Sequence, residues 1–426
     1  MNKSTLMSKA EGLDAEDKLS RFRDLFSIPT INNNQVLYFC GNSLGLMPKS
    51  ATEYLSRETA DWSMLGVAGH HEASSPWLSY HRMFAKPLSK IVGALPSEVV
   101  AMNSLTVNLH LMMVSFYRPT TTRNKILIVG QEFPSDRYAA ASQILFHGFD
   151  PQHSLIEAMP EPGSQIIEES HIESILAEHA DSIAMVLISG VHYYSGQRFD
   201  IERICKAAHN AGATFGVDLA HAVGNVELKL HDWNVDFAVW CSYKYLNSGP
   251  GGVGGAFVHQ QHAANPSLPR FAGWWGNDEA SRFQMEYDFS AANGADGWQL
   301  SNAPILSMAA HKASLDIFDQ VEMVDIFRKR DQLTQFFFDV ICSIADEFDF
   351  VSIVSHADPQ RRGAQISIRF EKQGKEIFNR LAEQGVVVDW RNPSVIRVAP
   401  APLYNSYTDV AKFGILLHEI LEDLRN

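Results

Sequence analysis

The segment FAVWCSYKYLNSGPGGVGGAFV, residues 237–258, carries one lysine, Lys244, at the end of an apolar run. Tyr243 and Tyr245 flank it, and five glycines follow within residues 249–255. A lysine delivered to a crevice by buried chain loses its hydration, gives up its proton more easily and becomes a nucleophile. The alternative is a solvated lysine at a loop start. The glycines are not a phosphate loop. The lysine precedes them, and the GK[ST] ending of that motif is missing. They suit a tight turn and close backbone approach.

Asp218 closes the apolar run ATFGVD, 26 positions upstream of Lys244. A lysine and a carboxylate at two strand ends match what pyridoxal phosphate requires. The lysine holds the aldehyde, and the carboxylate keeps the pyridine nitrogen protonated. Asp218 reads equally well as a cap for LAHAVG. Thr106, in NSLTVNLH, falls where a helix begins, which is an anion site or a plain cap. Phe133 and Asp136, in EFPSDRYAA, stand at another helix start, where Phe133 either covers a planar cofactor or belongs to the core. Arg397 lies between Ile396 and Val398 in a short apolar strand. Facing inward it requires a partner, either a substrate carboxylate or a salt bridge across domains. Trp274 and Trp275 in RFAGWWGN, with His70, His71 and Trp77 in AGHHEASSPW, line an aromatic pocket or are core. Two adjacent histidines make a poor metal site, and no metal is expected.

These residues need a frame that brings strand ends together. Short apolar runs at 124–129, 182–189, 213–218 and 235–242 alternate with helical stripes at 106–117, 134–148 and 200–212. Helices between buried strands give an α/β fold with a mostly parallel sheet, whose ligands bind beyond the carboxyl ends of the strands. Ser189, Asp218 and Ser242-Tyr243-Lys244 all fall at such ends. NQVLYFC (34–40) reads as a further strand. Beyond Pro304 the pattern changes to long helices, then short strands, a helix and a closing helix, which is a smaller α+β unit. The expected division is a segment 1–45 packing on the small unit, a large cofactor-binding unit 46–310, and a small unit 311–426.

A net charge of −14 leaves no basic excess for a phosphate backbone, so no nucleic-acid partner is expected. No apolar stretch is long enough for a bilayer, and the N-terminal residues lack a secretory core. Cys40, Cys205, Cys241 and Cys342 are scattered without metal or disulfide spacing. Cytoplasmic localisation is the resulting expectation.

Eight motifs in register then carry a resemblance: YFCGNSLGL, FPSDRYA, SGVHYYSGQ, DLAHAVGN, CSYKYLNSGPGG, GWWGN, LSNAPI and RNPSVIRVAPAPLYNS. From about Tyr38 to about Val410 the chain resembles the kynureninases, pyridoxal-phosphate enzymes of the aspartate aminotransferase fold group. The resemblance implies a seven-stranded, mostly parallel sheet flanked by helices, a smaller C-terminal domain, and a homodimer with active sites at the subunit interface. Lys244 then matches the lysine that binds the cofactor. Tyr243 matches a phosphate contact and proton relay. Asp218 and His221 match ring contacts, Asp218 at the pyridine nitrogen. Leu105 and Thr106 match the phosphate end, Phe133 and Asp136 the ring, and Ser189 the opening of SGVHYY. Trp274 and Asn302 match residues that reach cofactor or substrate from the neighbouring chain. Arg397 matches the anchor of the substrate carboxylate, and Ser43 and His70 match positions near its aryl end.

The implied activity is hydrolysis of L-kynurenine or 3-hydroxykynurenine to alanine plus anthranilate or its 3-hydroxy form, in tryptophan catabolism and NAD biosynthesis. The rivals are a cysteine desulfurase or small aminotransferase of the same fold group, and a non-catalytic cofactor-binding regulator. A desulfurase carries a histidine before the lysine and a cysteine on a mobile loop. Here Tyr243 precedes the lysine, and Cys342 sits in an apolar helical run. A regulator requires a nucleic-acid module, and the acidic charge argues against one.

Overall fold

The computed structural model describes residues 2–263, 265 and 268–425. Its main sheet contains β1 (Val99–Ala101), β2 (Lys125–Val129), β3 (Leu155–Ala158), β4 (Ile183–Ser189), β5 (Thr214–Asp218), β6 (Phe237–Cys241) and β7 (Gly254–Val258). The order is β1-β7-β6-β5-β4-β2-β3. All strands are parallel except β7, which runs against both neighbours. Every residue of β4 and β6 is buried. Alternate side chains explain why: Leu127, Val186 and Ala238 join the core on one face, and Ile126, Leu187 and Val239 join the core on the other. With both faces covered, such strands read as continuous apolar runs. The register sets Asp218 beside Ser189 on one side and Val239 on the other. The carboxyl ends of β4, β5 and β6 therefore lie side by side.

A second, antiparallel sheet holds β8 (Val351–Ile353), β9 (Ile366–Phe370), β10 (Asp389–Arg391) and β11 (Val395–Val398), in the order β8-β9-β11-β10. It has its own core with the helices Met323–Ala345, Gly374–Glu383 and Tyr407–Arg425. The N-terminal helix Lys3–Glu16 packs on the last of these. Asp14 accepts the N–H groups of Tyr407 and Thr408, at 2.7 and 2.9 Å, and so satisfies donors that the start of that helix leaves free.

Residues 34–40 do not form one strand. Asn34–Gln35 pairs back on Thr30–Ile31 through a turn at Asn32 and Asn33, both with positive φ. Leu37–Tyr38 instead pairs with Val386–Val387. Asparagine tolerates that backbone region, so the chain turns before a longer ladder forms.

Candidate active site

Lys244 follows β6 and enters a crevice at the carboxyl ends of the strands. Leu105, Thr106, Phe133, Asp136, Ser189, Asp218, His221 and Tyr243 line it too, so nine of the fourteen sequence-derived site residues meet there. The Lys244 amine lies 3.0 Å from His221 Nε2 and 6.0 Å from the centre of the Phe133 ring. Burial, then the Lys244 charge, holds His221 well below the usual imidazole range, so the ring is neutral and accepts from the amine.

Asp218 Oδ1 accepts the Ala220 N–H at 2.6 Å, so it caps the turn that follows β5. Burial pushes the Asp218 carboxyl up to about 6, against the opposing pull of that N–H and of Lys244. Asp136 is held well above the usual carboxylate range, by burial and then by the Asp218 charge. Two neighbouring buried carboxyls, which resist ionising together, behave this way.

Two helix N-termini meet at the other end of the crevice. Leu105–Phe116 and Pro134–Phe146 both start without a side-chain cap. The hydroxyls of Thr106 and Ser135 are 2.9 Å apart across them. Uncapped N–H groups, hydroxyls and the positive ends of two helices suit a phosphate. Lysine, buried carboxylate, aromatic face and anion cradle together fit the donor set of pyridoxal phosphate.

Tyr243 is half-buried. Burial, then Cys241, raises its phenol, which makes it a weaker acid than free tyrosine. The turn is held from below by the loop of GNSLG. Gly45 donates its N–H to the Tyr243 carbonyl at 2.8 Å, and a Cβ on Gly45 would lie 2.3 Å from the Lys244 carbonyl oxygen. Ser43 is exposed on that loop and does not line the crevice.

Arg397 is 1% exposed in β11. It donates to the Tyr193 carbonyl at 2.7 Å and pairs closely with Asp389, which Arg391 also contacts at 3.0 Å. Its guanidinium lies 5.8 Å from the centre of the Tyr193 ring, whose edge meets Phe133. One aromatic ring thus links the arginine to the crevice. The counter-ion of Arg397 is thus on the neighbouring strand of its own sheet rather than across domains, and only the hydrogen bond to the Tyr193 carbonyl reaches the large unit. The Nε of Arg397 has no partner.

Trp274 and Asn302 are exposed, and His70 packs against Trp77 at 5.5 Å; none of the three lines this crevice. Trp274 donates to the Arg282 carbonyl at 3.2 Å and meets the Phe283 ring. Reasoning from sequence missed Glu132, Ser135 and Tyr193. Ser135 and Glu132 flank residues that were singled out, but no spacing rule marks them. A larger open groove lies between Lys3–Glu16 and Met323–Ala345, lined by Lys329 and Asp17 among others. Lys329 there is spent on Asp17 at 2.7 Å, so size alone is a poor guide to the site.

Comparison with known proteins follows the same line. Residues 326–417 match the model of the kynureninase C-terminal domain. A kynureninase of Flavobacterium johnsoniae is 48% identical over 409 residues, covering 96% of both chains. The chain belongs to the kynureninase family. A Myxococcus xanthus kynureninase is 49% identical, covering 95% of both chains. One from Nematostella vectensis is 48% identical, covering 96% of this chain and 92% of its own. Among solved structures, a cysteine desulfurase from Thermococcus onnurineus superposes with a TM-score of 0.74 at 17% identity, covering 91% of this chain and 95% of its own. The desulfurase CsdA of Escherichia coli gives 0.76 at 16% identity, covering 95% and 98%. At that identity the desulfurases share the fold, while kynureninases are the family. The thiol a desulfurase would need is not activated: burial, then Asp339 and Asp346, raises Cys342.

Proposed function

We propose that the chain is a pyridoxal-phosphate hydrolase that cleaves the Cβ–Cγ bond of L-kynurenine, 3-hydroxy-L-kynurenine or both, giving L-alanine with anthranilate or 3-hydroxyanthranilate. The observation that carries it is the crevice: Lys244 against a neutral His221, with Asp218 buried beside them, in a kynureninase-family chain. When bound, pyridoxal phosphate supplies an aldehyde for Lys244 and a ring that accepts an electron pair from the substrate.

The residues of the chain do the rest. Asp218 would hold the proton of the pyridine nitrogen, Phe133 and His221 would contact the ring, and Thr106 and Leu105 would receive the phosphate. Arg397 takes the substrate carboxylate by parallel hydrogen bonds. The freed Lys244 amine removes the Cα proton. Water adds to the γ-carbonyl, the Cβ–Cγ bond breaks, and the aryl acid leaves with the water oxygen. Cβ receives a proton, held by Tyr243. Its raised phenol is neutral at physiological pH and therefore loaded for donation.

In this reading the working unit is a homodimer, the residues 46–310 bind the cofactor, and 311–426 form the small unit with 1–45 against it. Trp274 and Asn302 serve the neighbouring chain's crevice, which their exposure in their own chain supports. Ser43 and His70 face the aryl end of the substrate. The enzyme acts in the cytoplasm, in tryptophan catabolism and NAD biosynthesis. No helix among the described residues is long and apolar enough to cross a membrane.

Lys244→Ala is the test. The variant is expected to lose both the visible absorbance of the lysine-linked cofactor and turnover. Retention of both overturns the assignment. Light scattering should give twice the chain mass of 47.6 kDa.

A further inference from the structure

Glu132 is the buried carboxyl that the mechanism above leaves without a task. It precedes Phe133, lines the crevice with Lys244, and is 8% exposed. Its Oε1 accepts the Phe133 N–H at 2.9 Å. Its Oε2 is sealed from solvent with no hydrogen bond of good geometry, and it lies beside the Ser189 N–H and hydroxyl, which draw the carboxyl down. A buried carboxyl whose second oxygen is not held by a full hydrogen bond is costly in a folded chain and points to a role in the site.

We propose that Glu132 is a positioning residue of the active site, whose carboxyl acts on Lys244 across the crevice and on the Ser189 hydroxyl beside it, and so sets the pH at which the lysine–cofactor linkage gains its proton. The proposal rests on the cofactor reading given above. Counting charges supports it. Glu132, Asp136 and Asp218 line the crevice with Lys244, as does Tyr193. His221 is neutral. Ionising all three carboxyls would set three anions against Lys244, with Arg391 and Arg397 nearby but paired to Asp389, so protons are retained. Burial and the Asp218 charge favour the neutral acid at Asp136. Asp218 is answered by Lys244, and by the pyridinium when the cofactor is bound. Glu132 is left as the carboxyl that changes charge near neutrality: burial pushes it up to about 7, against the Phe133 N–H, Ser189 and Lys244. Once ionised it favours a cation at Lys244.

The test uses the cofactor-loaded protein without substrate. The visible absorbance of the linked cofactor is titrated against pH in the parent, Glu132→Gln and Glu132→Asp, and cofactor affinity is measured alongside. Glutamine keeps the shape and removes the charge. Its midpoint is expected to move to lower pH by roughly one unit. The Glu132→Asp midpoint should stay closer to the parent's, because the charge remains. A Glu132→Gln titration that superimposes on the parent overturns the proposal. Equal shifts in Glu132→Gln and Glu132→Asp overturn it as well, since charge would then not be the cause. If Glu132→Gln fails to fold, Glu132→Ala replaces it: a fall of roughly one unit supports the role, and a midpoint at the parent's value contradicts it. A parent protein with no such absorbance contradicts the cofactor reading instead, so the two failures are distinguishable.

Discussion

The two ends of the main sheet treat buried charge in opposite ways. At the amino ends, Asp236 precedes β6 and is fully paired: Oδ1 accepts from His262 at 2.6 Å, and Oδ2 from His209 at 2.9 Å and the Phe215 N–H at 2.7 Å. Glu98, just before β1, is paired likewise by His231 and by the Gln260 and Leu95 N–H groups, at 2.8 to 2.9 Å. Burial alone would raise Asp236, yet these hydrogen bonds win and bring it down to about 2. At the carboxyl ends, burial wins. Glu132, Asp136 and Asp218 are raised, and Glu132 Oε2 and Ser189 Oγ lack hydrogen bonds of good geometry. The same residue types make a clamp at one end and a reactive site at the other. Completeness of hydrogen bonding separates them.

Breaking each end should give different losses. The largest is Lys244→Ala, expected to reduce turnover by about 10⁴-fold or more while leaving the melting temperature nearly unchanged. A large fall in melting temperature would mean that Lys244 is structural. Next is Arg397→Gln. Activity on amino-acid substrate should fall by about 10²-fold in kcat/KM with cofactor affinity kept. Equal loss of both would make its pairing with Asp389 the whole of its role.

Asp236→Asn should leave catalysis intact and cost about 2 kcal/mol of stability at neutral pH, read from denaturant midpoints. The sign follows from the folded carboxyl lying below its ordinary value of 3.8. The stabilisation is present above that value and is lost as pH falls toward about 2. An acid-unfolding curve of Asp236→Asn should therefore be flatter than the parent's over that range. The smallest effect belongs to Gly45→Ala. Its Cβ meets the Lys244 carbonyl oxygen, so both stability and cofactor affinity should fall modestly together, a link between frame and site that Asp236→Asn lacks.

Much of this was legible in the sequence where burial left a one-dimensional trace. β4 and β6 are apolar throughout because both their faces are covered, and Lys244 and Asp218 stood out as polar residues ending such runs. β3 was missed because Leu155–Ala158 is short and only half-buried. β7 runs antiparallel and begins within the glycine run, so its start has no strand pattern. Glu132 and Tyr193 left no trace because each is a single polar residue near a motif, placed in the crevice only by the fold. Trp274 and Asn302 stay apart from the crevice of their own chain, so one chain's geometry does not bring them to it.

The most direct measurement gives the purified protein pyridoxal phosphate and L-kynurenine and follows alanine and anthranilate together. Both products are expected in equal amounts from the parent and neither from Lys244→Ala. Parent protein that binds the cofactor yet forms no anthranilate, while releasing sulfide from cysteine, would contradict that expectation.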